Sequence, residues 1–190
     1  MGKRSNFKRR ERDFYPTPMT AVSPLIPHLP ERLTYTEPCS GQGDLIKALG
    51  TFEGVAHNGR FCAVCHEASD IEPGRPTHFV RDAFDIEDVP AEVDFFITNP
   101  PWDRKILHPL IIHLSAIRPT FLLFDADWMH TKQASPYLAF CQKIVSVGRV
   151  KWIPNSPNTG KDNCAWYFFD ETLPGCRSST EFFGRDYFSE

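Results

Sequence analysis

The sequence predicts an α/β protein, with a mostly parallel sheet and helices packed on both faces. Two observations predict it. Short apolar runs that stop at proline or glycine alternate with stretches of helical periodicity. Proline is frequent, with 17 residues, which suggests many loops that break sharply after strands. The composition allows it: 190 residues with 41% hydrophobic and 24% charged side chains suffice for one domain with its own core and argue against wholesale disorder.

The elements follow in chain order. Residues 33–36 form a short strand ending at Glu37-Pro38, and 44–51 form a helix after a glycine turn. Residues 61–68 are a second strand, interrupted by polar side chains, and 78–81 a third, short one. Val93-Asp94-Phe95-Phe96-Ile97-Thr98 is a buried strand that stops at Asn99-Pro100-Pro101. Residues 109–117 carry apolar side chains at 110, 111, 112, 114 and 117, one helical face, with Pro109 in the first turn. Residues 120–124 are a continuous apolar strand, 136–144 a helix, and 144–153 and 165–169 two closing strands that pair antiparallel. The expected organisation is a basic, flexible arm over 1–12, a single domain over 13–172 and a loop or tail over 173–190.

The net charge of −3 conceals an asymmetry. Lys3, Arg4, Lys8, Arg9, Arg10 and Arg12 face only Glu11 and Asp13 in the first thirteen residues, giving +4 there, whereas the rest holds 15 basic against 22 acidic residues, giving −7. A basic arm on an acidic body can reach a polyanion such as nucleic acid; the plainer reading is a solvated tail. No apolar run approaches the ~18 residues that span a bilayer, and Met-Gly-Lys-Arg-Ser precedes no apolar segment, so the expected location is cytoplasmic. Six cysteines are too few for a disulfide scaffold and are expected to be reduced.

Two stretches carry chemistry. Glu37-Pro38-Cys39-Ser40-Gly41-Gln42-Gly43-Asp44-Leu45 lies between a strand and a helix, where two glycines allow a tight turn and close approach of a ligand. No Gly-Lys-Ser/Thr follows, so it is not a P-loop. Thr98-Asn99-Pro100-Pro101-Trp102 follows a buried strand. The two prolines fix the backbone and supply no amide donors. The Asn99 side-chain oxygen and the Pro100 carbonyl can then accept both hydrogens of an exocyclic amine, and Trp102 offers a flat face for a planar substrate. The plainer reading is a rigid strand-to-loop turn with a core tryptophan.

Together these residues carry a resemblance. Asp13-Phe14-Tyr15-Pro16-Thr17-Pro18, the Glu37–Gly43 turn, Asp70-Ile71-Glu72-Pro73, Asp82-Ala83-Phe84 and Asn99-Pro100-Pro101-Trp102 occur in the motif order of amino-methylating S-adenosylmethionine-dependent methyltransferases. The sequence most resembles the small phage and prophage DNA N6-adenine methyltransferases. Gly148-Arg149-Val150-Lys151-Trp152-Ile153 and Asn163-Cys164-Ala165-Trp166-Tyr167-Phe168-Phe169 are also similar to such enzymes. The resemblance implies a Rossmann-like class I methyltransferase fold, with seven strands of which the last is antiparallel. It also implies S-adenosylmethionine as cofactor and DNA as partner.

The implied roles go residue by residue. Tyr15, Thr17 and Pro18 would cover the methionine end of the cofactor. Glu37, Gly41 and Gly43 would hold its amino-acid and ribose region, with Pro38 and Cys39 in the same turn. Asp70, beside Ile71, would bind the ribose hydroxyls, with Glu67 the competing acid. Asp82 would accept from the adenine amino group, with Ala83 beside it and Phe84 flanking the ring. Asn99, Pro100 and Pro101 would hold the target amine, and Trp102 would stack on a flipped base. Apart from the resemblance, the basic arm and Lys161, in a loop facing the same sheet edge, are candidates to touch phosphate. Relatives usually carry a separate target-recognition domain; none is expected here, and a homodimer or a partner protein is expected to supply target recognition. The other readings are methylation of an RNA amine or a protein glutamine, an inactive nucleic-acid-binding module, and a nucleotide-binding oxidoreductase sharing the glycine turn.

Cys62-Ala63-Val64-Cys65-His66 matches a c-type haem attachment motif, but that attachment needs export. A zinc site from Cys62, Cys65 and His57 or His66, with Cys39 or Cys164 as fourth ligand, is set aside in favour of ordinary thiols, so no metal is expected. Asp125-Ala126-Asp127-Trp128 reads as a solvated strand end, with Trp128 or His130 as candidates for the cleft; Trp152 and Trp166 read as core.

Overall fold

The computed structural model describes residues 15–76, 78–153, 160–171 and 179–185. The basic residues Lys3, Arg4, Lys8, Arg9, Arg10 and Arg12, and Asp13-Phe14 of the first motif, lie outside the described residues. The strands are β1 (Arg32–Glu37), β2 (Cys62–Asp70), β3 (Phe79–Val80), β4 (Phe95–Thr98), β5 (Thr120–Asp125), β6 (Cys141–Arg149), β7 (Asn163–Phe169) and β8 (Glu181–Phe183). They form one sheet in the order β3-β2-β1-β4-β5-β7-β6-β8. All neighbours are parallel except β7, which runs antiparallel to both β5 and β6. The direction of strand addition reverses between β1 and β4, which opens a crevice at their carboxyl ends.

The central strands are buried on both sides because their period of two feeds two cores. On β5, Phe121 and Leu123 join one cluster while Leu122 and Phe124 join the other. On β7, Cys164 and Trp166 face the first, and Ala165, Tyr167 and Phe169 the second. The first core is covered by α1 (Met19–Val22), the 3-10 segment Ser23–His28 that continues it, and α2 (Asp44–Gly50). Between α2 and β2 lies α3 (Ala56–Gly59), a single turn broken by left-handed His57 and Asn58. The second core is covered by α4 (Arg104–Ile117) and the turns leading into α5 (Ser135–Leu138). There, Phe124 and Tyr167 stack with ring centroids 4.1 Å apart, and Trp128 meets both edge-on.

Several expectations change. The helix expected over 109–117 starts at Arg104, because the Asp103 carboxylate caps it by accepting from the Lys105 amide at 3.0 Å. Pro109 therefore sits in its interior, not its first turn. The helix expected over 136–144 ends at Leu138, and β6 runs over 141–149 instead of 144–153, since pairing with β7 outweighs local propensity. The tail holds an eighth strand, where Glu181–Phe183 pairs with Lys143–Val145. Trp128 is fully buried and donates to His108 Nε2 at 2.9 Å, so it belongs to the core and not to the cleft; His130 is exposed and lines no part of the cleft. Met19–His28 had no sequence assignment. No helix among the described residues is long and apolar enough to cross a membrane.

Trp166 holds α1 to the sheet: its ring is fully buried and Nε1 donates to the Ala21 carbonyl at 2.8 Å. Trp166→Phe is expected to cost about 1–3 kcal/mol through the stranded carbonyl and the smaller ring. Urea denaturation measures this, and faster amide exchange over residues 19–28 would accompany it.

Candidate functional site

The glycine turn is braced from two sides. Gly41 and Gly43 take φ of 48° and 71°, in the left-handed region that favours glycine. The Asp70 carboxylate, at the end of β2, accepts from the Gly41 amide and from the Glu72 amide, both at 2.9 Å. The Ser40 amide donates to the Ser69 carbonyl, and the Gly74 amide to the Gly41 carbonyl. His78 Nδ1 lies 2.9 Å from Ser40 Oγ, and its ring occupies the space a Cβ at Gly43 would need, 2.9 Å away. Burial, with Arg75 beside it, holds the His78 ring below the usual imidazole pKa. Nothing in the sequence pattern points to His78, whereas Pro73-Gly74 signals the turn that carries it.

Glu37 is 2% exposed at the end of β1, and its Oε2 has no hydrogen-bond partner. Burial, reinforced by Asp70 and then Asp44, pushes its carboxyl well above the usual range. Glu37 lines a cleft of about 710 Å³. Of the sequence-read residues, Tyr15, Thr17, Glu37, Pro38, Cys39, Gly41, Asp70, Ile71, Asp82, Ala83, Phe84, Asn99 and Pro101 line it. Pro18, Gly43, Pro100 and Trp102 are not among its walls. Of the two acids on β2, Asp70 reaches the cleft, whereas Glu67 pairs with Arg81 and does not. Asp82 caps the 3-10 turn Ala83–Asp85 by accepting from the Phe84 amide at 3.0 Å, which sets Phe84 at the rim, 38% exposed. Ile106 and Leu110, one helical turn apart on α4, add an apolar wall that the sequence reading missed.

The lining has one electrostatic character. Glu37, Asp44, Asp70, Glu72 and Asp82 supply carboxylates, and no Lys or Arg lines the cleft among the described residues. At the β4 end, Asn99 is held from both sides: Nδ2 donates to Thr17 Oγ1 at 3.1 Å and Oδ1 accepts from Trp102 Nε1 at 3.3 Å. Lys161 is exposed in the link between β6 and β7, at the same edge of the sheet.

The cysteine motif on β2 does not converge. Period two places Cys62 with Val64 and His66 on one face, and Cys65 with Ala63 on the other. Burial pushes the Cys65 thiol up to about 12. No group of three or more His, Cys, Asp or Glu side chains among the described residues is placed to hold a metal.

The crevice at the strand reversal, the glycine turn and the antiparallel β7 define a known architecture. The fold is the Rossmann-like class I methyltransferase fold. A Listeria monocytogenes protein described as a class I S-adenosylmethionine-dependent methyltransferase superposes with a TM-score of 0.51 and 10% identity, over 90% of this chain and 63% of that one. A Pyrococcus horikoshii protein described as an RNA methyltransferase superposes with a TM-score of 0.51 and 14% identity, over 90% of this chain and 94% of that one. This chain thus spans under two thirds of the listerial protein. No family model matches the sequence, and comparison with curated protein sequences finds no match.

Two outcomes follow from the geometry. A carboxyl whose folded pKa is raised loses stability as pH rises from its unfolded value towards its folded one. Glu37→Gln is therefore expected to be more stable than the wild type at pH 8, with the difference vanishing below the ordinary glutamate value of 4.5. Urea titrations at several pH values measure it. Gly43→Ala forces a Cβ into the His78 ring at φ 71° and should cost about 1–2 kcal/mol. Pairing it with His78→Ala should recover the steric part alone.

Proposed function

We propose that this protein moves the methyl group of S-adenosylmethionine to the N6 amine of adenine in DNA. The observation that carries the reading is Glu37 Oε2, a buried carboxyl oxygen with no partner, on a residue that lines the same cleft as Asn99. An unpartnered buried carboxylate calls for a cation, and the ammonium of the cofactor's methionine end meets that need. The other carboxylates fit the same cofactor, which carries hydroxyls, an amino group and a cationic sulfur but no phosphate. The five carboxylates of the lining repel a phosphate-bearing ligand such as a dinucleotide, which argues against the oxidoreductase reading.

The chain's own residues have distinct tasks. The Glu37 carboxylate holds the ammonium, and its burial keeps competing water away. The Asp70-braced turn brings the Gly41 backbone close to the ligand, and Asp70 keeps lone pairs for ribose hydroxyls after taking two amides. Asp82 accepts from an adenine amino group, with Phe84 against the ring. When bound, the cofactor supplies an electrophilic methyl group on sulfur. Asn99 Oδ1 and the Pro100 carbonyl accept the hydrogens of the target amine, fixing the direction of its lone pair. These hydrogen bonds strengthen as positive charge grows on nitrogen. Binding at such a buried position requires the base to leave its stack. Exposed Lys161 and the basic residues of 1–12 would meet phosphate, and a second copy or a partner protein would add target recognition.

An RNA adenine would satisfy the same acceptors, and the Pyrococcus horikoshii protein is described as acting on RNA. The deciding experiment is tritium transfer from labelled cofactor to adenine-containing DNA, adenine-free DNA, RNA and protein. The expected result is label on adenine-containing DNA only, falling by about 100-fold or more in Asn99→Ala. Label on RNA or protein instead would sink the DNA reading. Cofactor binding without transfer to any substrate would favour an inactive binding module.

A further inference from the structure

Trp102 stands behind Asn99, and its ring nitrogen touches the one group whose orientation matters there. Nε1 lies 3.3 Å from Asn99 Oδ1 and 3.2 Å from the Leu123 carbonyl. An indole N–H only donates, so both contacts require an oxygen. On its other side, Asn99 Nδ2 lies 3.1 Å from Thr17 Oγ1, a hydroxyl that donates or accepts equally well. A carboxamide with only the Thr17 hydroxyl as partner could sit either way round; among the described residues, Trp102 breaks the symmetry. The indole is itself held: it packs edge-on against Trp152 at 5.8 Å between centroids and touches both hydrophobic cores. Its N–H direction is therefore fixed by packing.

We propose that Trp102 is a positioning residue for methyl transfer, its N–H locking the Asn99 carboxamide with oxygen in the accepting position. The proposal rests on the reading of Asn99 as the residue that receives the target amine. One lone pair of Oδ1 takes the indole hydrogen and the second stays available to the amine. The sharing with Leu123 ties this orientation to β5, so the end of β4 cannot shift without breaking it. Phenylalanine would keep a flat ring for stacking and lose the lock, which separates this role from base stacking.

The experiment is the indole region of a 1H–15N correlation spectrum of the full chain, with methyl transfer measured in parallel. Trp102→Phe assigns the Trp102 resonance by its loss. If that variant does not fold, Trp128→Phe, Trp152→Phe and Trp166→Phe assign it by elimination. Asn99→Leu is expected to move the resonance towards a free indole, and Asn99→Asp, which keeps an oxygen and adds charge, to move it the opposite way. Trp102→Phe is expected to lower kcat about tenfold, the value of one hydrogen bond, with cofactor KM within about twofold. An unmoved resonance in Asn99→Leu overturns the proposal, as does a wild-type kcat in Trp102→Phe. If the wild type transfers no methyl group to any substrate, the functional reading fails, while the resonance still decides the hydrogen bond.

Discussion

The reversal of strand order between β1 and β4 is the constraint on which the site depends. Right-handed crossovers send the chain after β1 to one face of the sheet and the chain after β4 to the other. Their carboxyl ends are neighbours, yet their loops diverge, and the gap between them cannot be filled by either loop. Glu37 ends β1 and Asn99 directly follows β4, so topology brings the proposed cofactor and target residues together before any side-chain detail.

The gap is then kept open at an electrostatic cost. Glu37 is buried with Asp70 and Asp44 as its nearest electrostatic influences, all of one sign. Asp70 offsets part of this by accepting two backbone amides, which makes the same carboxylate a brace for the turn and a wall of the cleft. The arrangement disfavours the ionised form of Glu37 where a bound cation would restore it. Binding sites are commonly built this way: the free protein is less stable than it could be at the place where the ligand fits.

The sequence was most legible where one physical signal dominated. Continuous apolar runs gave β4 and β5, and glycine and proline marked the two turns that frame the cleft. It was least legible where tertiary pairing overrode local preference. Residues 141–144 look helical in isolation, but Cys141 is pinned opposite Phe169. The 3-10 segment Ser23–His28 contains two prolines and no clear period, so only its burial against α2 and the sheet reveals it. His78 could not have been found, because its meaning comes from Ser40 and Gly43, far away in the chain and touching only after folding. That Glu37, Asp70 and Asn99 line the cleft was legible because each stands at or just after the end of a strand, and strand ends can be read locally.

The position of β7 and β8 has a consequence for how the chain assembles as it is synthesised. β6 emerges before either of its two neighbours, since β7 inserts between β5 and β6 and β8 covers the remaining edge. Until residue 169 is made, β5 and β6 lack the strand that separates them, and until residue 183 is made, β6 keeps an open edge. Half the sheet can close early through local crossovers; the other half must wait for its last strands, with backbone donors and acceptors exposed meanwhile. The nascent chain would be most prone to self-association in that interval, and a chaperone would have most to do there.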